Sequence, residues 1–230
     1  MPAVALALAS ARYQQITPAA IAVRLSLIAA AALSLQVALV VTLAATVIGG
    51  AAAIALHRRR LPGSDILATF FLSPLVLPTI IYAIGMLMLW SAVFGPVSLP
   101  TLALSHTVIA LPYVVRTTLA VLAESDPFLE EAARTMGAGR LQRLFHVVVP
   151  QCLPGLAAGA FFAFNISFDE AVLSLFLRKP GLTTLPVQIY GQLEFSPDPS
   201  VAAVSTIMIG VTVLLILVID RLLGLQRFAS

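Results

Sequence analysis

The chain has 230 residues, 60% of them hydrophobic and only 10% charged, against roughly 25% charged in a soluble domain; with a mean hydropathy of +1.03, an ordinary water-soluble fold is excluded. A formal net charge of +3 spread along the sequence does not indicate nucleic-acid binding, so the lipid bilayer is the expected environment and no nucleic-acid partner is expected. The single cysteine, Cys152, excludes an intramolecular disulfide, and His57, His106 and His146 lie in different segments with no metal-ligand spacing, so no metal or other cofactor is expected.

Backbone groups in lipid must be satisfied internally, which makes helices the default spanning element. The N-terminal stretch has an apolar run of about eight residues, too short to span and lacking the charged start of a signal peptide. From Pro18 to Leu56 the sequence is apolar for 39 residues. One helix of that length would run to roughly 58 Å at about 1.5 Å per residue, about twice the hydrocarbon core. The first span is therefore expected at about Ser34 to Leu56, with residues 1–33 as an N-terminal extracytoplasmic or interfacial segment that includes Arg24. A basic turn, His57 to Asp65, leads into a second span from Ile66 to about Phe94. Pro74 and Pro78 each remove a helix hydrogen bond, so this span should be bent or broken near its first third. The third span runs from about Leu99 to Leu122.

Residues 124–154, ESDPFLEEAARTMGAGRLQRLFHVVVPQCLP, form the one long charged interval. Asp126-Pro127 starts a helix well, because Asp caps free N–H groups and Pro fits the first turn. Glu130 and Glu131 then sit near the positive end of that helix's dipole. Gly137 and Gly139 end the helix, and Arg140 to Val149 forms a second segment. A short helix, a hinge and another helix between two spans suits docking to a soluble partner. Beyond it, the fourth span is expected at roughly Gly155 to Leu177 and the fifth at about Val201 to Leu223. The division is thus a transmembrane domain at 34–223, with a loop at 124–150, and a tail at 224–230.

Orientation follows from the basic residues. Arg58, Arg59, Arg60, Arg116, Arg134, Arg140, Arg143, Arg221 and Arg227 fall on one side, and Arg12, Arg24, Arg178 and Lys179 on the other. The richer side belongs in the cytoplasm, which places the loop and C-terminus inside and the N-terminus outside.

Glu131-Ala132-Ala133, three residues, Gly137, nine residues and Val147-Val148-Val149-Pro150 resemble the "EAA…G…I-L-P" signature of permease subunits in binding-protein-dependent type I ABC importers, with Val in place of the usual Ile and Leu. The chemistry fits: Ala132 and Ala133 let another surface approach, Glu131 supplies a charge, and Gly137 permits a bend. Ser73 to Gly85 (SPLVLPTIIYAIG), Ser167 to Leu177 (SFDEAVLSLFL) and Thr183 to Leu193 (TTLPVQIYGQL) resemble the polyamine-type branch, which handles spermidine, putrescine and related amines. That branch carries a further span ahead of the first one read here, which residues 1–33 do not supply in this reading.

The resemblance implies an all-α polytopic inner-membrane helix bundle of about five transmembrane helices with a cytoplasmic coupling helix. It also implies three partners: an ATP-binding ABC subunit, a second permease subunit, identical or homologous, and an extracytoplasmic solute-binding protein. Glu131, Ala132, Ala133, Gly137 and Pro150 would be the ATPase-coupling residues. No G-x-x-x-x-G-K-[ST] occurs in the sequence, so hydrolysis would lie in the partner. Asn165, Asp169 and Glu170 are candidates for the translocation path, because helical spacing gathers them with Ser167 and Ser174 into a polar wedge, and charges at such depth face a bundle interior or a water-filled path. Equally, they pair with a companion subunit. A stand-alone channel or secondary transporter is the alternative; an intramembrane enzyme using Asp169, Glu170 or His106 is the weaker one, lacking a Ser/His pair.

Overall fold

The computed structural model describes residues 18–58 and 63–195, with single positions between 205 and 221. The described residues are mainly helical, joined by short turns, with no strand among them beyond an isolated bridge between Lys179 and Leu182. Among the described residues, three helices are long and apolar enough to cross a membrane, and a bent pair adds a fourth candidate. The expected fifth span, 201–223, lies mostly outside the described residues, as do residues 1–17 and the tail at 224–230.

Helix α1 runs unbroken over Pro18–His57, 40 residues. The expected division at residue 34 is therefore not a structural break. Nothing in the run breaks a helix, and the region before Ser34 has packing of its own. Leu27 and Ala30 are buried against Phe164, Phe168 and Leu185. Ser34 lies in mid-helix, where its Oγ accepts the Leu185 backbone N–H at 2.7 Å. The stretch apolar enough to span begins at Leu25.

The second span is broken, within what its two prolines lead one to expect. Helix α2 (Ser64–Leu72) passes through a 3-10 turn, Ser73–Leu75. The chain then restarts as α3 (Thr79–Val93), and the two arms meet at 102°. Pro74 enters the tight turn, and Pro78, in an extended conformation, precedes α3, as a residue with fixed φ and no N–H does well. Helix α4 (Leu99–Glu124) matches the expected third span and keeps Pro112 inside it. The loop contains α5 (Pro127–Thr135) and α6 (Arg140–Arg143). A π-turn, Leu144–Val148, joins α6 to α7 (Val149–Asp169). Pro150 cannot donate to the carbonyl one turn back, and the wider π-turn falls just before it.

The fourth span differs from expectation at both ends. Apolar helix extends from Arg140 to Asp169 as one 30-residue unit and stops at Asp169 instead of continuing to Leu177. Glu170 is extended (φ −71°, ψ 104°), and its carboxylate accepts the Leu173 backbone N–H at 3.0 Å. That bond starts a new short helix, α8 (Val172–Phe176), as an N-terminal cap does. Helix α9 (Leu185–Phe195) follows a turn with Gly181 in the left-handed region.

The core is the mutual packing of α1, α4 and α7. Close approach of α4 and α7 depends on two glycines four residues apart. A Cβ on Gly155 would stand 2.8 Å from the Thr117 carbonyl oxygen, and one on Gly159 would stand 2.7 Å from both Val114 Cα and Thr117 Oγ1. Across this crossing the Thr117 hydroxyl donates to the Gly155 carbonyl at 2.8 Å. Without a hydrophobic drive between helices in lipid, small residues and interhelical hydrogen bonds hold such contacts. Gly49 and Gly50 meet Val114 and Leu156 in the same tight manner, so they serve close helix approach.

Candidate functional site

Two regions hold the expected functional residues. The first is the loop. Asp126 Oδ1 accepts the Phe128 N–H at 2.9 Å, fixing the start of α5 as the Asp-Pro pair suggests. Its end is a Schellman closure: Ala138 N–H bonds the Ala133 carbonyl, Gly137 N–H bonds the Arg134 carbonyl, and Gly137 takes φ +87°. Gly139, by contrast, has an ordinary φ of −68°, and its N–H donates to Gln142 Oε1 at 3.1 Å. Of the two glycines expected to end the helix, only Gly137 requires the residue type.

Helix α5 is two-faced. Ala133 is buried and Glu130 half-buried, three residues apart on the side toward the bundle, whereas Glu131 and Ala132 are exposed on the other. Glu130 Oε1 accepts from Arg58 Nη2 at 2.9 Å and lies 3.7 Å from Arg143 Nε. Glu131, the more exposed of the two, lines with Glu130 an open cavity of ≈ 620 Å³ that also includes Arg134, Arg140 and Arg143. In the same loop, Phe128, Met136 and Leu141 are 72%, 81% and 71% exposed. Pro150 is exposed in the first turn of α7.

The second region surrounds the break after Asp169. Asn165 and exposed Asp169, one helical turn apart, face a groove of ≈ 550 Å³ whose walls include Phe168, Ile189, Tyr190 and Met208. Glu170, expected beside them, does not line this groove; its carboxylate is turned to the α8 backbone. The polar wedge is therefore divided. Ser167 and Ser174 turn the other way, into the protein, where both meet His106.

His106 is fully buried in α4. Its Nδ1 lies 3.1 Å from Ser167 Oγ and its Nε2 3.1 Å from Ser174 Oγ. A neutral imidazole donates from one nitrogen and accepts at the other, and each hydroxyl can do either, so the set is satisfiable without charge. The ring thus clasps residues on both sides of the helix break. Sequence reading finds no Ser/His pair and places the serines in the wedge; the structure pairs both with His106 through a tertiary contact that has no local signal. The Arg58–Glu130 contact, spanning 72 positions, was hidden for the same reason.

Residues 45–227 match the family described as the binding-protein-dependent transport system inner membrane component. Among curated proteins, the putrescine transport system permease protein PotI of Escherichia coli K12 is 31% identical over 192 residues, covering 80% of this chain and 68% of that one. The spermidine/putrescine transport system permease protein PotC of the same strain is also 31% identical, covering 84% and 73%. The sulfate transport system permease protein CysT of Salmonella typhimurium is 31% identical over 184 residues, covering 73% and 66%. In fold, the chain is similar to one from the MetNI methionine ABC transporter in inward-facing crystals, with a TM-score of 0.73 at 22% identity, covering 90% of this chain and 97% of that one. The helical bundle with its two-faced loop thus belongs to the inner-membrane permease family of binding-protein-dependent ABC importers, and this chain is a permease subunit of such a transporter.

Proposed function

We propose that the outward face of α5 seats a separate ATP-binding subunit on the cytoplasmic side, with Glu131, Ala132, Ala133, Gly137 and Pro150 as the coupling set, and that an extracytoplasmic binding protein and a second permease subunit complete the transporter. The observation that carries this reading is the two-faced α5. Glu130 and Ala133 are used inward, whereas Glu131 and Ala132 stand free among exposed Phe128, Met136 and Leu141. Exposed apolar side chains with a charge and the small Ala132 are the make-up of a docking surface. Ala133 supports the helix from beneath, and Gly137 sets the angle at which it leaves. The basic bias places this loop and the C-terminus in the cytoplasm and the N-terminus outside.

The cargo we assign is a small amine of the polyamine type. The sulfate permease is as similar in identity as the two polyamine permeases, so identity does not choose between cation and anion. The groove does. Its described lining carries Asp169 among apolar and aromatic walls, which favours an ammonium group and repels an anion.

The test is uptake into vesicles holding the chain with its ATPase and binding protein. Glu131→Lys should insert normally yet lower ATP-driven uptake at least about tenfold, because like charges set against each other at an interface are strongly unfavourable. Full uptake by that variant overturns the docking assignment. Asp169→Asn should slow putrescine uptake about fivefold, the equivalent of a solvent-screened ion pair of about 1 kcal/mol. Sulfate uptake by the parent protein, or an unchanged putrescine rate in the variant, overturns the cargo assignment.

A further inference from the structure

Between the docking helix and the membrane bundle lies the Glu130 carboxylate. Glu130 sits on the inward face of α5, where its Oε1 is 2.9 Å from Nη2 of Arg58, one residue beyond the end of α1, and 3.7 Å from Nε of Arg143, in the α6 segment that continues into α7. The side chains of Arg58 and Arg143 are 25% and 11% exposed. The Nε atoms of both arginines are buried without a hydrogen-bond partner, so the site holds more donor capacity than the single close bond uses. A small cavity of ≈ 210 Å³ beside Arg58 and Glu130, bounded also by Asp126, Val148 and Gln151, leaves room for α5 to shift. A displacement of under an ångström would bring the carboxylate within hydrogen-bond range of Arg143 Nε, because the present 3.7 Å lies just outside it.

We infer that Glu130 is a positioning residue that transmits movement of α5 to the bundle, holding α1 through Arg58 and α7 through Arg143. Its place in the fold is suited to that task. Helices α1 and α7 are two of the three that pack as the core, and Glu130 is tied to the cytoplasmic end of each. Its neighbour Glu131 is exposed where Glu130 is half-buried. Adjacent carboxylates thus divide the work, one toward the partner and one toward the bundle. A charge shared between two guanidinium groups in a partly buried site has more directional hold than an exposed surface pair.

The inference rests on the docking assignment above, and the experiment separates the two. The assembled transporter, purified through a tag on this chain and reconstituted with its binding protein, is compared as parent, Glu130→Gln, Arg58→Gln with Arg143→Gln, and all three together. The ATPase should copurify with each at the parent level. Solute transported per ATP hydrolysed should fall about fivefold in Glu130→Gln, the lower end of typical coupling between two sites. The arginine pair should reproduce that loss, and adding Glu130→Gln to it should cause no further fall, because residues acting as one unit are non-additive. Parent-level transport per ATP in Glu130→Gln overturns the inference, as does a triple variant whose loss is the product of the other two. Loss of the ATPase from Glu130→Gln overturns it too, since the residue would then be a docking contact. A parent chain that holds no ATPase removes the docking assignment and this inference together.

Discussion

Two pairs of neighbouring acids, Glu130-Glu131 in the loop and Asp169-Glu170 at the end of α7, look alike in sequence and are resolved alike in space. In each pair one carboxylate is bonded by the chain and half-buried, and the other is left exposed beside a cavity. What differs is the means. Glu130 is held by guanidinium groups beside an open, polar loop. Glu170 is held by a backbone N–H at the start of α8, next to buried Leu173. Where water is at hand, two charges can pair without a large desolvation penalty. Where the surroundings are apolar, a backbone donor already fixed by the fold is the cheaper partner. Neighbouring acids therefore cannot be read as one doubled charge.

The most severe way to break this arrangement is to separate the helices that frame it. Gly159→Leu puts a branched side chain where even a Cβ meets Val114 Cα at 2.7 Å. Overpacking of this kind should destabilise the bundle by about 3 kcal/mol. Size-exclusion chromatography of the detergent-solubilised protein should show aggregation or loss of yield; a monodisperse parent-like peak would mean that the α4–α7 crossing tolerates separation.

The next effect falls on the break itself. His106→Leu removes the ring that joins Ser167 to Ser174 and leaves two buried hydroxyls to find other partners, at a cost of about 2 kcal/mol. The melting temperature in detergent should drop, and putrescine uptake with it, because the break presents Asp169 to the groove. An unchanged melting temperature would show that the clasp is dispensable.

Within the acid pair at the break, the comparison predicts opposite responses. Glu170→Ala removes the bond to the Leu173 N–H and should cost about 1 kcal/mol, as loss of a cap does. Asp169→Asn should leave the melting temperature near the parent value while slowing amine uptake. If Asp169→Asn proves the more destabilising, the roles assigned to the two positions are reversed.

Much of this organisation is legible in the sequence because it rests on local chemistry. Asp126-Pro127 announces the start of α5, the third span is matched by α4, and Pro74 and Pro78 announce a break between α2 and α3. The parts that are not legible depend on partners distant in the chain. Continuity of α1 through Ser34 reflects packing on α9 and α7, some 130 to 160 positions away. The end of α7 at Asp169 reflects Glu170 bonding to the backbone ahead of it, a choice that a helical wheel drawn through the segment hides. At the candidate site, spacing rightly gathers Asn165 and Asp169 on one stripe, because the helix persists that far. It wrongly adds Glu170 and Ser174, which lie past the break.

The smallest expected effect separates the two loop glycines. Gly137 sits at φ +87° with open space around it, so Gly137→Ala meets no clash and suffers only the left-handed backbone penalty of about 1 kcal/mol. That penalty is local to the end of α5 and should not lower the melting temperature of the bundle. It should instead loosen the Ala138 and Gly137 amide bonds to the Ala133 and Arg134 carbonyls, read as faster hydrogen exchange in residues 133–138. Gly139 has φ −68° and its nearest outside atom, Gln142 Oε1, is 3.9 Å from a built Cβ. Gly139→Ala should therefore change exchange by no more than a few tenths of a kcal/mol, about the limit for a surface substitution that strains nothing. Equal responses from the two variants would mean that the turn does not depend on the left-handed residue, and that α5 leaves the loop at an angle set by something other than Gly137.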